Sequence, residues 1–140
     1  MHCRFLKRVF QVTVHPALTT RLARTDADRR AVFALRYSVF VREMGGDGPL
    51  VDHDAGLEMD RFDPFCDHLM LLDEGKGATI ADQIVGTYRM MTSDGASAAG
   101  CFYSEGEYDL APLEDSGRSI VECGRSCLKR DYRGGLALQS

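Results

Sequence analysis

Ser119-Ile120-Val121-Glu122-Cys123-Gly124-Arg125-Ser126-Cys127-Leu128-Lys129-Arg130-Asp131-Tyr132-Arg133-Gly134-Gly135 holds three elements in succession. Ser119 to Leu128 reads as a strand, Lys129 to Gly135 as a glycine-bearing basic loop, and Leu136 to Ser140 as the start of a helix too short to be stable alone. Strand, loop and helix start aim backbone N–H groups at one place with positive polarity, which is how a chain cradles a phosphate; Gly-Gly before a helix is also simply a turn. Within the strand, Glu122 and Arg125 lie three residues apart, so strict alternation sends their side chains to opposite faces. A bulge, for which Gly124 is suited, would bring both toward a single cleft. The same alternation puts Cys123 and Cys127 on one face; with no His or Cys cluster at metal-binding spacing, they read as inert thiols.

Upstream, His68 to Leu72 and Ile84 to Met91 read as two strands joined by the turn-prone Glu74-Gly75-Lys76-Gly77, an antiparallel hairpin with Arg89 near its end. Thr92 to Gly100 is a polar stretch of small residues, and Phe102-Tyr103-Ser104-Glu105 a helical turn. Thr25, followed by acidic residues, caps a helix predicted from Asp28 to about Val41. Its apolar stripe is Val32, Leu35 and Val39 with Phe33, Tyr37 and Phe40 one row over. Arg36 falls inside that stripe, where it must snorkel outward or meet a carboxylate. Gly45-Gly46-Asp47-Gly48-Pro49 ends the helix, and the loop from Val51 to Asp67 carries Asp52, Asp54, Glu58, Asp60, Asp63 and Asp67. The first strand is either Phe10 to Val14, cut short by Pro16, or Leu18 to Ala23. Residues 1–16 read as an N-terminal extension and 17–140 as the N-terminal part of one domain.

The chain has 140 residues, 44% hydrophobic and 27% charged, the composition of one soluble globular domain. At that length roughly 68% of the unfolded surface can be buried, so packing alone supports the fold. A net charge of -4 argues against nucleic acid, whose binders concentrate basic surplus on one face. Arg21, Arg24, Arg29 and Arg30 read as solvated surface. Arg4, Lys7 and Arg8, with Phe5, Leu6, Val9 and Phe10, are either disordered or a peripheral contact to an anionic bilayer. The five cysteines follow no zinc or redox spacing, and no signal-peptide core precedes them, which points to the cytoplasm. His15, His53 and His68 are isolated, and no metal site is expected.

Four segments occur together in a recognisable order: Arg36-Tyr37-Ser38-Val39-Phe40, Glu58-Met59-Asp60-Arg61-Phe62-Asp63, Arg89 after Val85-Gly86-Thr87-Tyr88, and Glu122-Cys123-Gly124-Arg125. In this the chain resembles the acyl-homoserine-lactone synthases of the GNAT superfamily. From about Leu18 to Ser140 it looks most like the ornithine N-acyltransferases. The resemblance implies an α/β (α+β) fold of the GNAT acyl-CoA N-acyltransferase type, a mixed but mainly antiparallel sheet flanked by helices, with the C-terminal half missing.

It implies transfer of a (3-hydroxy)acyl group from acyl-carrier protein to the α-amino group of L-ornithine, giving lyso-ornithine lipid. No cofactor is bound, since the 4′-phosphopantetheine thioester is a co-substrate; the fragment alone is expected to be inactive, and the protein to be cytoplasmic or peripheral at the inner membrane. By the same analogy Arg36, Asp60, Asp63 and Arg89 form an ion-pair network on the amine side, completed by Glu122 and Arg125. Asp60 and Asp63 are then expected to hold the ornithine ammonium groups, Glu122 to act as general base or else as a structural salt-bridge partner of Arg125 or Arg36, and a backbone N–H of the bulged strand to polarise the carbonyl. The superfamily loop usually reads Gln/Arg-x-x-Gly-x-Gly/Ala, whereas here Arg133 stands at the first glycine position. Arg130, Arg133, Gly134 and Gly135 are thus expected to hold the pantetheine phosphate or an acidic carrier surface. Alternatives are an acyl-homoserine-lactone synthase, which usually has a Trp that this chain lacks, a non-catalytic carrier-binding fragment, and a generic N-acetyltransferase using acetyl-coenzyme A.

Overall fold

Thr25 starts the first helix in the computed structural model, which describes residues 18–134. Thr25 Oγ1 accepts from Asp28 N at 3.1 Å while the Asp28 carboxylate accepts from Thr25 N at 3.1 Å. This reciprocal pair satisfies two of the N–H groups a helix start leaves free. Helix α1 (Asp26–Arg36) follows, and β1 (Leu18–Leu22) precedes it, so the later of the two first-strand readings is the one found. Phe10 to Val14, the extension 1–16 and its bilayer-contact reading lie outside the described residues. Arg21 on β1 donates to both Asp28 oxygens, at 2.8 and 2.7 Å, which ties strand to helix start.

Beyond Arg36 the helix continues from Tyr37 to Glu43 in the wider π winding. It stops at Gly45, whose φ of +73° suits glycine, and Gly46 N donates to Phe40 O at 2.8 Å.

Strands β2 (Asp67–Asp73), β3 (Ile84–Thr92) and β4 (Val121–Leu128) complete a four-stranded sheet of order β1-β2-β3-β4, antiparallel at every pair. The hairpin predicted for β2 and β3 is present, but its connection is not the tight turn expected. A 3-10 turn at Glu74–Lys76 leads into a short helix, α2 (Ile80–Gln83), nucleated by a reciprocal cap between Thr79 and Asp82. The polar stretch after β3 is also a helix, α3 (Ser93–Ala99), capped by Thr92 and ended by Gly100 at φ +93°. Its small residues bury only Ala96, so no apolar stripe marks it. The turn at Tyr103–Gly106 occurs as read, and α4 (Ala111–Glu114) leads toward β4.

One face of the sheet carries two apolar clusters. Val32, Leu35 and Val39 of the helix pack on Met70, Leu72, Ile84 and Cys127. Phe62, Met91, Ala96 and Phe102 form the second. Each fully buried side chain of this kind contributes about 1.5–3 kcal/mol. Among the described residues no helix is long and apolar enough to cross a membrane.

Candidate functional site

Arg36, at the end of α1, has a side chain 0% exposed and does not snorkel. Its Nε donates to Glu58 Oε2 at 2.5 Å, and Nη1 and Nη2 donate to Asp63 Oδ1 and Oδ2 at 2.6 and 3.1 Å. From β3, Arg89 Nη1 reaches Asp60 Oδ1 at 2.6 Å and Asp63 Oδ1 at 3.0 Å. From β4, Arg125 Nη2 donates to Asp60 Oδ2 at 2.9 Å, while its Nε lies 3.4 Å from Glu58 Oε1 without forming a hydrogen bond.

Local turns fix the carboxylates. Asp63 Oδ2 accepts from Asp60 N at 2.7 Å, and Asp60 Oδ1 from Phe62 N at 2.9 Å. Three guanidiniums thus meet three carboxylates, a balance that a buried ionic cluster requires. The third carboxylate, Glu58, was absent from the sequence-derived site. The signal that could have found it is charge parity, since three arginines brought together at a core need a third acid from the same loop.

Burial by itself would raise the Asp63 carboxyl, but the Arg36 hydrogen bonds and charge, with Arg89 behind them, hold it below its ordinary 3.8. Burial pushes His68, paired with Arg89 across β2 and β3, below its ordinary 6.5, so the ring is neutral at physiological pH. His68 Nε2 lies 3.3 Å from the Asp63 carbonyl oxygen, and Nδ1 is buried without a partner among the described residues.

Between β3 and β4 the pairing runs from Thr87↔Cys127 to Arg89↔Gly124, so β4 carries one extra residue: a bulge. The strained backbone falls on Arg125, at φ +50°, rather than on Gly124. The bulge brings Glu122 and Arg125 to one cavity of about 200 Å³, shared with Arg89 and Tyr103. It also overturns the common face expected for the two cysteines, because the extra residue shifts the alternation: Cys127 is buried and Cys123 exposed. Burial pushes the Cys127 thiol up to about 12 and that of Cys66 up to about 11, so neither is a thiolate at neutral pH.

Glu122 does not join the ion-pair network, contrary to the sequence-derived expectation. Its oxygens accept from Tyr103 N and Ser104 N, both at 2.8 Å, and from the Ser104 hydroxyl. The physical reason is proximity to a turn start, whose free N–H groups need an acceptor. Tyr103 also covers the arginines, its ring centroid 5.5 Å from the Arg89 guanidinium and 5.1 Å from that of Arg125.

Arg125 borders a second cavity, of about 340 Å³, with Phe40, Val41, Asp47, Val51 and Glu58. Past β4, Arg130–Tyr132 form a 3-10 turn and Gly134 adopts φ +80°. Arg133 Nη1 pairs with Glu43 Oε2 at 2.8 Å, and Arg130 Nη2 stands 4.0 Å from the same oxygen with its side chain 79% exposed. The basic loop is thereby drawn to the end of the π-helical stretch. Gly135 and the helix start after it lie outside the described residues. Among the described residues no group of three His, Cys, Asp or Glu side chains could hold a metal ion.

The chain is similar in sequence to curated acyltransferases and in fold to a solved synthase. The L-ornithine N(alpha)-acyltransferase of Rhodobacter capsulatus is 52% identical over 118 residues, covering 84% of this chain and 46% of that protein. Those of Agrobacterium fabrum and Rhizobium meliloti are each 41% identical, covering 83% of this chain and 40% of theirs. The chain thus spans less than half the length of these curated relatives. A solved N-acyl amino acid synthase from uncultured soil microbes, FeeM, superposes with a TM-score of 0.61 over 89% of this chain and 58% of that one; at 14% identity this is a likeness of fold. The family described as the Acetyltransferase (GNAT) domain matches residues 35–140, three-quarters of the chain and every strand of the sheet but β1. By that match, on an antiparallel sheet whose last described strand is bulged beside a basic glycine loop, this chain belongs to the GNAT acetyltransferase domain family.

Proposed function

We propose that the protein carrying this chain transfers an acyl group from a thioester to the α-amino group of L-ornithine. The observation that carries this reading is the 52% identity to the Rhodobacter capsulatus L-ornithine N(alpha)-acyltransferase over 118 residues, 84% of the chain. The donor in this reading is a 3-hydroxyacyl group on the 4′-phosphopantetheine of acyl-carrier protein, and the product is lyso-ornithine lipid. The phosphate, or the acidic carrier surface, is met by Arg130, Arg133, Gly134 and Gly135. Arg133 must then share its guanidinium between the donor and Glu43.

Amide formation needs a neutral amine, a polarised thioester carbonyl and an outlet for the thiolate. Glu122 is the proposed base, taking the ammonium proton directly or through a water in the cavity it lines with Arg89 and Arg125. The hydrogen bonds from Tyr103 and Ser104 hold its carboxylate in one orientation. The bulged residues at Arg125 and Ser126 fall outside the pairing with β3, which suits a backbone N–H there to polarise the carbonyl.

Arg36 is fully buried and acts by positioning Glu58 and Asp63. Of the two aspartates proposed for the ornithine ammonium groups, Asp60 is the accessible one, with its side chain 19% exposed against 3% for Asp63. Asp63 serves the same end indirectly, by holding Arg36 and Arg89.

The test uses the complete gene product with L-ornithine and either 3-hydroxyacyl-carrier protein or acetyl-coenzyme A, with N-acyl-ornithine detected by mass spectrometry. Product from the carrier donor alone supports the reading; a lactone formed with S-adenosylmethionine, and no acyl-ornithine, overturns it. Glu122→Gln is expected to lower kcat by about 10²–10⁴ at saturating substrates. Full activity in that variant, at unchanged thermal stability, would end the base assignment.

A further inference from the structure

The 340 Å³ cavity has an uneven charge distribution. Of its two carboxylates, Glu58 is already opposed by cations, Arg36 at 2.5 Å and Arg125 at 3.4 Å. Asp47 has no guanidinium or ammonium partner among the described residues. Its Oδ1 accepts from Gly48 N at 2.8 Å and lies 3.1 Å from His53 Nε2, while Oδ2 makes no bond within the described residues. The carboxylate is nonetheless held in place, because His53 Nδ1 lies 3.1 Å from the Tyr37 hydroxyl and the two rings pack edge-on at 5.8 Å. Tyr37 is itself buried in the helix, so Asp47 is anchored to the core through His53. At 73% exposure the Asp47 side chain is open to a ligand.

We infer that Asp47 is a specificity-determining residue that selects acceptors bearing a second, side-chain ammonium. The inference rests on the ornithine reading above and reassigns the far end of that substrate to Asp47, leaving Asp60 to the α-ammonium. An α,ω-diamino acid has a carboxylate and amine at one end, an ammonium at the other and methylenes between. The cavity offers the complement: Arg125 beside the bulge for the carboxylate, Phe40, Val41 and Val51 for the methylenes, and the free oxygen of Asp47 for the ω-ammonium. Arg125 would share its guanidinium between Asp60 and the substrate carboxylate, and the carboxylate at this cavity that lacks a guanidinium or ammonium partner among the described residues is Asp47, which favours a ligand carrying a second ammonium.

The experiment compares kcat/KM for L-ornithine, L-norvaline, which has the same chain without the terminal amine, and L-2,4-diaminobutyrate. It uses the complete gene product, wild type and variants, with the 3-hydroxyacyl-carrier protein donor. Wild type is expected to prefer ornithine to norvaline, and Asp47→Asn to lower that preference about tenfold, the size of one charge-assisted hydrogen bond. Asp47→Glu carries the carboxylate one methylene further and is expected to shift preference toward the shorter diaminobutyrate, which a merely structural role would not do. An ornithine-to-norvaline ratio unchanged in Asp47→Asn overturns the inference and leaves ornithine acylation standing. Wild type that acylates none of the three overturns the ornithine reading and the inference together.

Discussion

Arg125 takes a left-handed backbone although a glycine stands immediately before it. The side chain explains the choice: from that strained position its guanidinium reaches Asp60, 65 residues earlier in the chain, and approaches Glu58. Holding a non-glycine residue there costs about 1–2 kcal/mol, which the ionic contacts must offset. Replacing Arg125 with Gly or with Ala removes the same contacts, but only Gly relieves the backbone. Arg125→Gly is therefore expected to be more stable than Arg125→Ala by about 1 kcal/mol in urea unfolding; equal midpoints would mean that the backbone is unstrained. That Glu122 and Arg125 could share a cleft only through a bulge was legible from their spacing. Which residue would bear it was not, because distant partners decide it, and they also leave Glu122 to the turn at Tyr103 instead of the ion pairs.

Helix α3 shows the same division among the elements. Gly95 looks replaceable, since alanine favours helix by about 1 kcal/mol. A Cβ at that position, however, would sit 2.4 Å from the carbonyl oxygen of Phe65, a backbone atom with no rotamer to yield. Gly95→Ala is expected to destabilise by about 1–3 kcal/mol, read as a lowered Tm in thermal unfolding. An increase in Tm would show that the helix and the 3-10 turn at Asp63–Phe65 beneath it can separate. The apolar stripe of α1 and the apolar runs of β2 and β3 are readable from residue order because burial, on one face of the helix and on both faces of much of the two strands, imposes them. Small-residue α3, the short α2 in the hairpin connection and the π winding after Arg36 leave no such trace; caps and neighbours set them.

For the molecule as a whole, stability should follow pH in two stages. Burial lowers His68 below 6.5, so an unfolded chain takes up a proton there that the folded one refuses, and stability begins to fall as pH drops below 6.5. Asp28 is held below its ordinary 3.8, chiefly by hydrogen bonds from Arg21, and Asp63 is lowered as well. Both contribute fully above 3.8 and lose that contribution as pH falls below it toward their folded values. Denaturant midpoints across pH 3–8 are expected to show a plateau, a shallow decline and then a steep one. An Asp28→Asn variant should start lower and flatten the steep limb; an unchanged limb would show that Asp28 carries no pH-linked stability. At this scale the antiparallel sheet and the need of Arg36 for acids were legible, since buried charge demands a counter-charge. The grouping of acids was not: Asp52 and Asp54 remain at the surface while Glu58, Asp60 and Asp63 enter the cluster.

The π winding from Tyr37 to Glu43 gives chain length a meaning of its own. An α-helix accommodates a lost or gained residue only by rotating everything beyond it by about 100°. A wider turn already holds surplus backbone, so it can surrender a residue while both of its ends remain in place. Such a deletion would leave Arg36 in the ion pairs and Gly45 at the helix stop, yet re-aim Phe40, Val41 and Glu43, the side chains that face the second cavity and the basic loop. A gap in this stretch of an alignment, easily dismissed as noise in a helix, is therefore the place where two otherwise matching members of the family would differ in what they bind.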